Sequence, residues 1–207
     1  MIHIEGVALG PLETNCYIIK DMESKKAIII DPGMNPKPLI KQITDFHIEA
    51  ILLTHAHFDH IGGVDEIRKM KQCPVYVHDL EATWLTDSSK NGSSRYAELS
   101  QPIRTDVAEF ALDDKQILDF LGIRIQVLHT PGHSPGSVSF LFDKHLFAGD
   151  VLFKLSVGRT DLPGGNSNTL LDSIHHKLFK LDDDTRVYPG HGPKTTIGYE
   201  RMHNPHV

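Results

Sequence analysis

The chain has 207 residues and a formal charge of −6, with 21 lysines and arginines against 27 aspartates and glutamates. At 40% hydrophobic and 23% charged it has an ordinary globular composition, which excludes a disordered chain and collagen-like repeats. An acidic chain without a long basic stretch is a poor match for phosphate backbones, so no nucleic-acid partner is expected.

The chain opens on M-I-H-I-E, with no basic segment leading into an apolar one, so no signal peptide is expected. β-branched runs predict strands over 15–19, 26–30, 50–54, 75–78, 123–128, 137–142, 145–148 and 186–188. Between them, amphipathic spacing predicts helices over 38–46, 64–70, 80–85 and 169–181. The helix from Val64 carries Asp65 and Glu66 in its first turn and Lys69 and Lys71 near its end, which suits the helix dipole. In the last helix Leu170, Leu171, Ile174, Leu178 and Leu181 form one apolar stripe, with Asn168 as the expected N-cap. The polar, turn-rich segment 91–101 reads as a surface excursion. No apolar run approaches the roughly 18 residues of a membrane span. Cys16 and Cys73 lie outside any CxxC spacing, so reduced thiols in a cytoplasmic protein are expected. The strands are too many for one small sheet. Two mixed sheets packed face to face, with helices outside, form the layered solution expected of this α/β pattern, which composition alone does not separate from a doubly wound sheet.

Fourteen histidines, as many as tyrosine and phenylalanine together, are the feature that points to chemistry. The run T-H-A-H-F-D-H-I-G-G at 54–63 places His55, His57, Asp59 and His60 within six residues, directly after an apolar strand. Imidazole and carboxylate suit zinc and other first-row divalent ions. Asp59 and His60 are expected at the start of the Val64 helix, and Gly62 and Gly63 are expected to let the backbone turn tightly. Three later segments repeat the arrangement of a strand running into a polar turn: T-P-G-H-S with His133, A-G-D with Asp150, and Y-P-G-H-G with His191. Five histidines and two carboxylates exceed one tetrahedral site and fit two ions roughly 3.5–4 Å apart. Of the other histidines, His175 and His176 read as a surface pair and His129 as a supporting residue; His3, His47, His78, His145, His203 and His206 have no ligand spacing. Asp31, in I-D-P-G, is a candidate for orienting a ligand histidine, or else a simple turn aspartate.

T-H-A-H-F-D-H with downstream G-H-S, G-D and G-H-G resembles the metallo-β-lactamase superfamily, and within it the short bacterial glyoxalase II-like hydrolases. The resemblance covers nearly the whole chain, from an opening hairpin to the tail. It implies an αββα sandwich of two mixed β-sheets flanked by helices, with residues 1–207 as a single domain and no separate C-terminal helical substrate domain. It implies that His55, His57 and His133 hold a first metal and Asp59, His60 and His191 a second, with Asp150 bridging. The implied cofactors are two divalent transition-metal ions, zinc foremost, with iron or manganese as alternatives. The implied reaction is thioester hydrolysis by a bridging hydroxide, with Asp59 both ligating and orienting it.

The expected partner is a small-molecule thioester of the 2-hydroxyacyl class, similar to S-lactoylglutathione. Glutathione itself fits less well, because only 16 residues follow His191 and because V-G-R-T-D places Arg159 and Asp161 where the family has Lys and Tyr. Arg159 and Asp161 are the candidate substrate-binding residues. G-R-T-D and the tail T-I-G-Y-E-R-M-H-N-P also resemble persulfide dioxygenases, which keep the fold with a single iron on the equivalents of His55, His133 and Asp150. The F-D-H-I-G-G continuation and the intact G-H-G favour the hydrolase. A secreted β-lactamase, a flavodiiron-type site and an RNA-processing nuclease fit less well.

Overall fold

The computed structural model describes residues 1–207, and no helix in it is long and apolar enough to cross a membrane. Its first eight-residue strand, β1 (Ile2–Leu9), runs antiparallel to β2 (Thr14–Asp21) and lies at the edge of a sheet. There follow β3 (Lys26–Ile30), α1 (Lys37–Ile43), β4 (His47–Leu52), α2 (Phe58–Ile61), α3 (Val64–Lys71), β5 (Val75–His78) and β6 (Phe110–Leu112). The sheet order is β1-β2-β3-β4-β5-β6, with β2–β3 antiparallel and β3–β4 and β4–β5 parallel. Ile28 to Ile30 and Ala50 to Leu52 are buried throughout, as interior parallel strands require.

The second sheet uses β7 (Ile117–Phe120), β8 (Ile123–His129), β9 (Val138–Phe142) and β10 (His145–Gly149). A small hairpin of β11 (Leu152–Phe153) and β12 (Ser156–Val157) comes next, then α4 (Ser167–His176), β13 (Arg186–Pro189), β14 (Thr195–Thr196) and α5 (Ile197–His203). Its order is β14-β13-β10-β9-β8-β7, again mixed, with β10 and β13 parallel across α4. The chain divides into one unit of Met1–Ala111 with Phe120–Gly122 and another of Leu112–Asp119 with Ile123–Val207. In the first, Leu39 and Ile43 of α1 and Val64 and Ile67 of α3 join Ile18, Ile29 and Ile51 of the strands in one core. In the second, Leu170 and Ile174 of α4 pack with Leu146, Ala148 and Val187.

Several expectations need correction. The 38–46 helix ends at Ile43, and 80–85 is a 3-10 helix over Asp79–Trp84. The 169–181 helix stops at His176, and a 3-10 turn over Leu178–Lys180 follows; between them Lys177 is the C-cap, its N–H still donating to Ser173 O while its ammonium reaches His129 O and Asp114. Its N-cap is Asn166, whose side chain accepts from Thr169 N; Asn168 already lies inside the first turn. Asp59 and His60 do not start the Val64 helix but sit in α2, a separate single turn. Gly62 and Gly63 have ordinary φ values of −61° and −101°. Their small size serves close packing: a Cβ would lie 2.6 Å from Met34 at Gly62 and 2.7 Å from Gly33 O at Gly63.

Candidate metal centre

In the first unit the donors leave the end of β4 on one loop, and all are buried: His55 is 1% exposed, His57 6%, Asp59 7% and His60 0%. Beneath them lies Asp31, also buried, with φ of 51°. Its Oδ1 accepts from Thr54 N at 2.8 Å, and its Oδ2 accepts from the Thr54 hydroxyl at 2.6 Å and meets His60 Nδ1 at 2.9 Å. Because a carboxylate only accepts, Nδ1 of His60 carries the proton and Nε2 keeps its lone pair. The Thr54 hydroxyl spends its single proton on Asp31, so its oxygen accepts from His55 Nδ1 at 3.1 Å. His55 is thereby held in the same tautomer. Asp59 Oδ2 accepts from the Thr14 hydroxyl at 2.8 Å and lies 3.4 Å from His60 Nε2.

The second unit brings its donors from three separate strand ends. His133 Nδ1 donates to Arg159 O at 2.8 Å, which again leaves Nε2 basic. Asp150 Oδ2 lies 3.6 Å from His133 Nε2 and 3.5 Å from His191 Nε2. The G-H-G and G-D turns are tied by Gly190 N donating to Gly149 O at 2.8 Å. Gly158 permits a close approach, since a Cβ there would fall 1.8 Å from Asp150 O.

These residues fit a divalent transition metal. The oxygen-to-nitrogen separations of 3.4 to 3.6 Å are long for hydrogen bonds. Two ligands each about 2.0–2.1 Å from a tetrahedral ion stand roughly 3.3 Å apart, close to what is observed. Asp31, His55 and His60 offer ligand atoms within 4.8 Å of one another, although Asp31 is already engaged by Thr54 and His60. Cys16 is no competing ligand: burial first, and the charge of Asp31 second, push its thiol well up and keep it protonated.

Arg159 and Asp161 form a two-pronged ion pair, Nε to Oδ1 and Nη2 to Oδ2, each 2.7 Å, on an exposed loop. The guanidinium holds the Asp161 carboxyl down at about 2. His129 Nε2 meets Pro135 O at 2.9 Å, bracing the turn that contains His133, and His175 and His176 are exposed.

Supporting residues that sequence reasoning passed over are Glu81, Thr14 and Asn91. Glu81 is fully buried and accepts from Ala56 N, between the two ligand-type histidines, at 2.6 Å. Asn91 anchors the expected surface excursion at 91–101, which is turn-rich and exposed or half-buried apart from Asn91 and Ser93: Asn91 is fully buried, its side-chain amide donates to Trp84 O and Ile103 O, and its backbone carbonyl accepts from Phe58 N. A buried glutamate in the 3-10 helix gives no spacing signal. The only clue was an apolar environment on both sides of it.

Two mixed sheets with flanking helices carry histidine-carboxylate sets at their strand ends, the chemistry of a metal-dependent enzyme. The chain belongs to the metallo-β-lactamase superfamily: the model of that family matches residues 9–191. It is 42% identical over 201 residues to the "Probable metallo-hydrolase YqgX" of Bacillus subtilis, covering 95% of this chain and 93% of that one. It is 35% identical over 213 residues to the "Hydroxyacylglutathione hydrolase GloC" of Haemophilus influenzae, covering 99% and 97%. Among solved structures it is similar to BLEG-1, titled a B3 metallo-β-lactamase, with TM-score 0.93, 47% identity and 98% of each chain covered. It is also similar to TTHA1623 in a di-iron-bound form, with TM-score 0.85, 40% identity, and coverage of 98% and 100%. The expected metallo-β-lactamase fold is therefore the fold of this chain.

Proposed function

We propose that this protein hydrolyses thioesters of the 2-hydroxyacyl class with two divalent transition-metal ions, working as one metallo-β-lactamase-fold domain. His55, His57, Asp59, His60, His133, Asp150 and His191 would hold the ions, with Asp150 as the carboxylate placed beside both His133 and His191. The observation that carries the reading is the pinning of His55, His60 and His133 through Nδ1, which turns each Nε2 lone pair into a prepared metal ligand. Zinc is the first choice of metal, and the di-iron title of a 40%-identical structure supports iron as the alternative. The hydroxyacylglutathione hydrolase name of a 35%-identical relative supports the thioester class.

Bound there, the ions supply a water acidified towards neutrality and a polarised carbonyl. The chain's own residues do the positioning. Asp59, steadied by the Thr14 hydroxyl on Oδ2, orients the attacking water through its carboxylate. Asp31 fixes the ring of His60 and, through Thr54, that of His55. Glu81 fixes the backbone between His55 and His57. The thiolate leaves without a strong general acid. Arg159, braced by its ion pair with Asp161, offers its remaining N–H donors to an anionic group of the carrier thiol.

The test compares one 2-hydroxyacyl group on several carrier thiols in steady state. The reading expects saturable hydrolysis with modest use of the glutathione ester. A second reading has a specific basis, the B3 metallo-β-lactamase title of a 47%-identical structure. Turnover of a β-lactam with no thioester hydrolysed would replace the first reading by the second. Oxygen consumption on adding a persulfide would move the assignment to the dioxygenase.

A further inference from the structure

Lys154, Arg186, Lys194, Thr195, Thr196 and Tyr199 line a recess of about 370 Å³ in the second unit. Three of these side chains are cationic and none is acidic, in a chain whose net charge is −6. The cations stand on a fixed frame. Arg186 and Thr196 are partners across the β13–β14 ladder. The Lys194 ammonium lies 4.7 Å from the centre of the Tyr188 ring, and that of Lys154 lies 5.7 Å from Tyr199.

Behind the recess Glu200 is fully buried. It accepts from Leu155 N at 2.8 Å, from the Thr195 hydroxyl, and from the Asn204 amide at 2.9 Å, tying the Lys154 wall to the Thr195 wall. The Thr196 oxygen accepts from Tyr199 N at 3.2 Å, so its hydroxyl proton is available to an incoming acceptor. A neighbouring recess shares Arg186 and Thr196, but there Lys144 is neutralised by Asp184. The excess of positive charge therefore lies on the first recess, three cations against the one buried carboxylate of Glu200.

This recess adjoins His191. Lys194 follows it by three residues, at most roughly 11 Å of chain. Phe153, which precedes Lys154, sets its ring 6.2 Å from that of His191. We propose that the recess is a subsite for a phosphate group borne by the carrier thiol, so that the preferred substrates are 2-hydroxyacyl esters of a phosphorylated, nucleoside-diphosphate-type thiol. Lysine ammonium groups serve phosphate as point charges and the arginine fork serves it in two-pronged fashion. The proposal rests on the thioester reading for its substrate class.

The test uses the metal-loaded protein with lactoyl esters of coenzyme A, of unphosphorylated pantetheine and of glutathione, and with ADP and inorganic phosphate as direct ligands. The coenzyme A ester is expected to show a KM about 10-fold below that of the pantetheine ester, with the advantage shrinking as salt screens the charges. The double variant Lys154→Ala/Lys194→Ala and the single variant Arg186→Gln should erase the advantage. They should leave kcat and the pantetheine ester within about 2-fold. ADP should compete with the coenzyme A ester alone, and calorimetry should detect its binding to the parent protein but not to the double variant.

Equal KM values for all carriers overturn the proposal. If ADP or phosphate still binds through Lys154 and Lys194 in that case, the anion is a free ligand and not part of the carrier. If no thioester is hydrolysed while ADP binds through those lysines, the thioester reading fails and the carrier assignment with it, and the anion site stands alone.

Discussion

The two units present ligand-type residues in opposite ways. The first places four of them on one loop within six residues, none more than 7% exposed, and holds them with buried side chains: Asp31, Thr54, Thr14 and Glu81. The second gathers three from the distant turns at 133, 150 and 191 and holds them with backbone: the Arg159 carbonyl on His133 and the Gly190–Gly149 bond between two turns. By side chain only His191 is markedly more open, at 29% against 10% for Asp59, 11% for Asp150 and 3% for His133. A side-chain scaffold is sensitive to the loss of a charge or an acceptor. A backbone scaffold is sensitive to volume at the glycines that let strands come close.

The largest expected effect breaks the second set at its centre. Asp150→Ala removes the oxygen that stands between His133 and His191. It should lose at least one metal and lower kcat by roughly 10²–10³ or more. Elemental analysis and steady-state kinetics check it together; full activity with metals retained would remove Asp150 from the centre.

Asp31→Asn comes next and probes the first set. The amide's NH2 would face either the protonated Nδ1 of His60 or, flipped, the Thr54 N–H, and neither can accept from it. Metal affinity, read by chelator competition, should fall about 10–100-fold. An unchanged affinity would reduce Asp31 to a turn residue.

Gly158→Ala is the matching probe of the backbone scaffold. With Asp150 O 1.8 Å from the new Cβ, the strand end must shift. A loss of roughly 1–3 kcal/mol of stability is expected from overpacking, measured by denaturant unfolding. A neutral result would show that this turn has slack.

The smallest effect lies on the exposed loop. Arg159→Ala should raise KM several-fold with kcat nearly unchanged if the guanidinium grips substrate equally in ground and transition states. A normal KM would assign the fork to Asp161 alone. The Arg159 hydrogen bond holds the Asp161 carboxyl at about 2, against an ordinary 3.8. This depressed carboxylate contributes its stabilisation above about pH 3.8 and loses it as pH falls through about 2. A carboxyl-carbon NMR titration should therefore show no transition for Asp161 above pH 4, and Arg159→Ala should return it towards 3.8.

The same contrast explains what could be read from sequence. His55 to His60 are legible because their spacing is local, and β3, β5 and α3 match their predicted runs because apolar pattern and end charges agree. His133, Asp150 and His191 are legible only as strand-then-turn segments whose meeting needs the tertiary fold. β1 lies outside the predicted runs although Ile2, Ile4 and Val7 are β-branched, because the edge strand interleaves them with the polar His3 and Glu5 and with Gly6. Asn91 and Ser93 look like surface in composition, yet are buried because backbone partners satisfy their polar atoms. Glu81 escaped for the same reason. A buried carboxylate declares itself only through the N–H it accepts from.

The central proposal is that the seven residues hold two metal ions. Transition-metal content per chain in gently purified protein, set beside the same measurement on Asp150→Ala, tests it most directly. The account predicts a value approaching two ions per chain, falling to one or fewer in the variant. A firm stoichiometry of one ion in the parent, unaltered by the substitution, would contradict it.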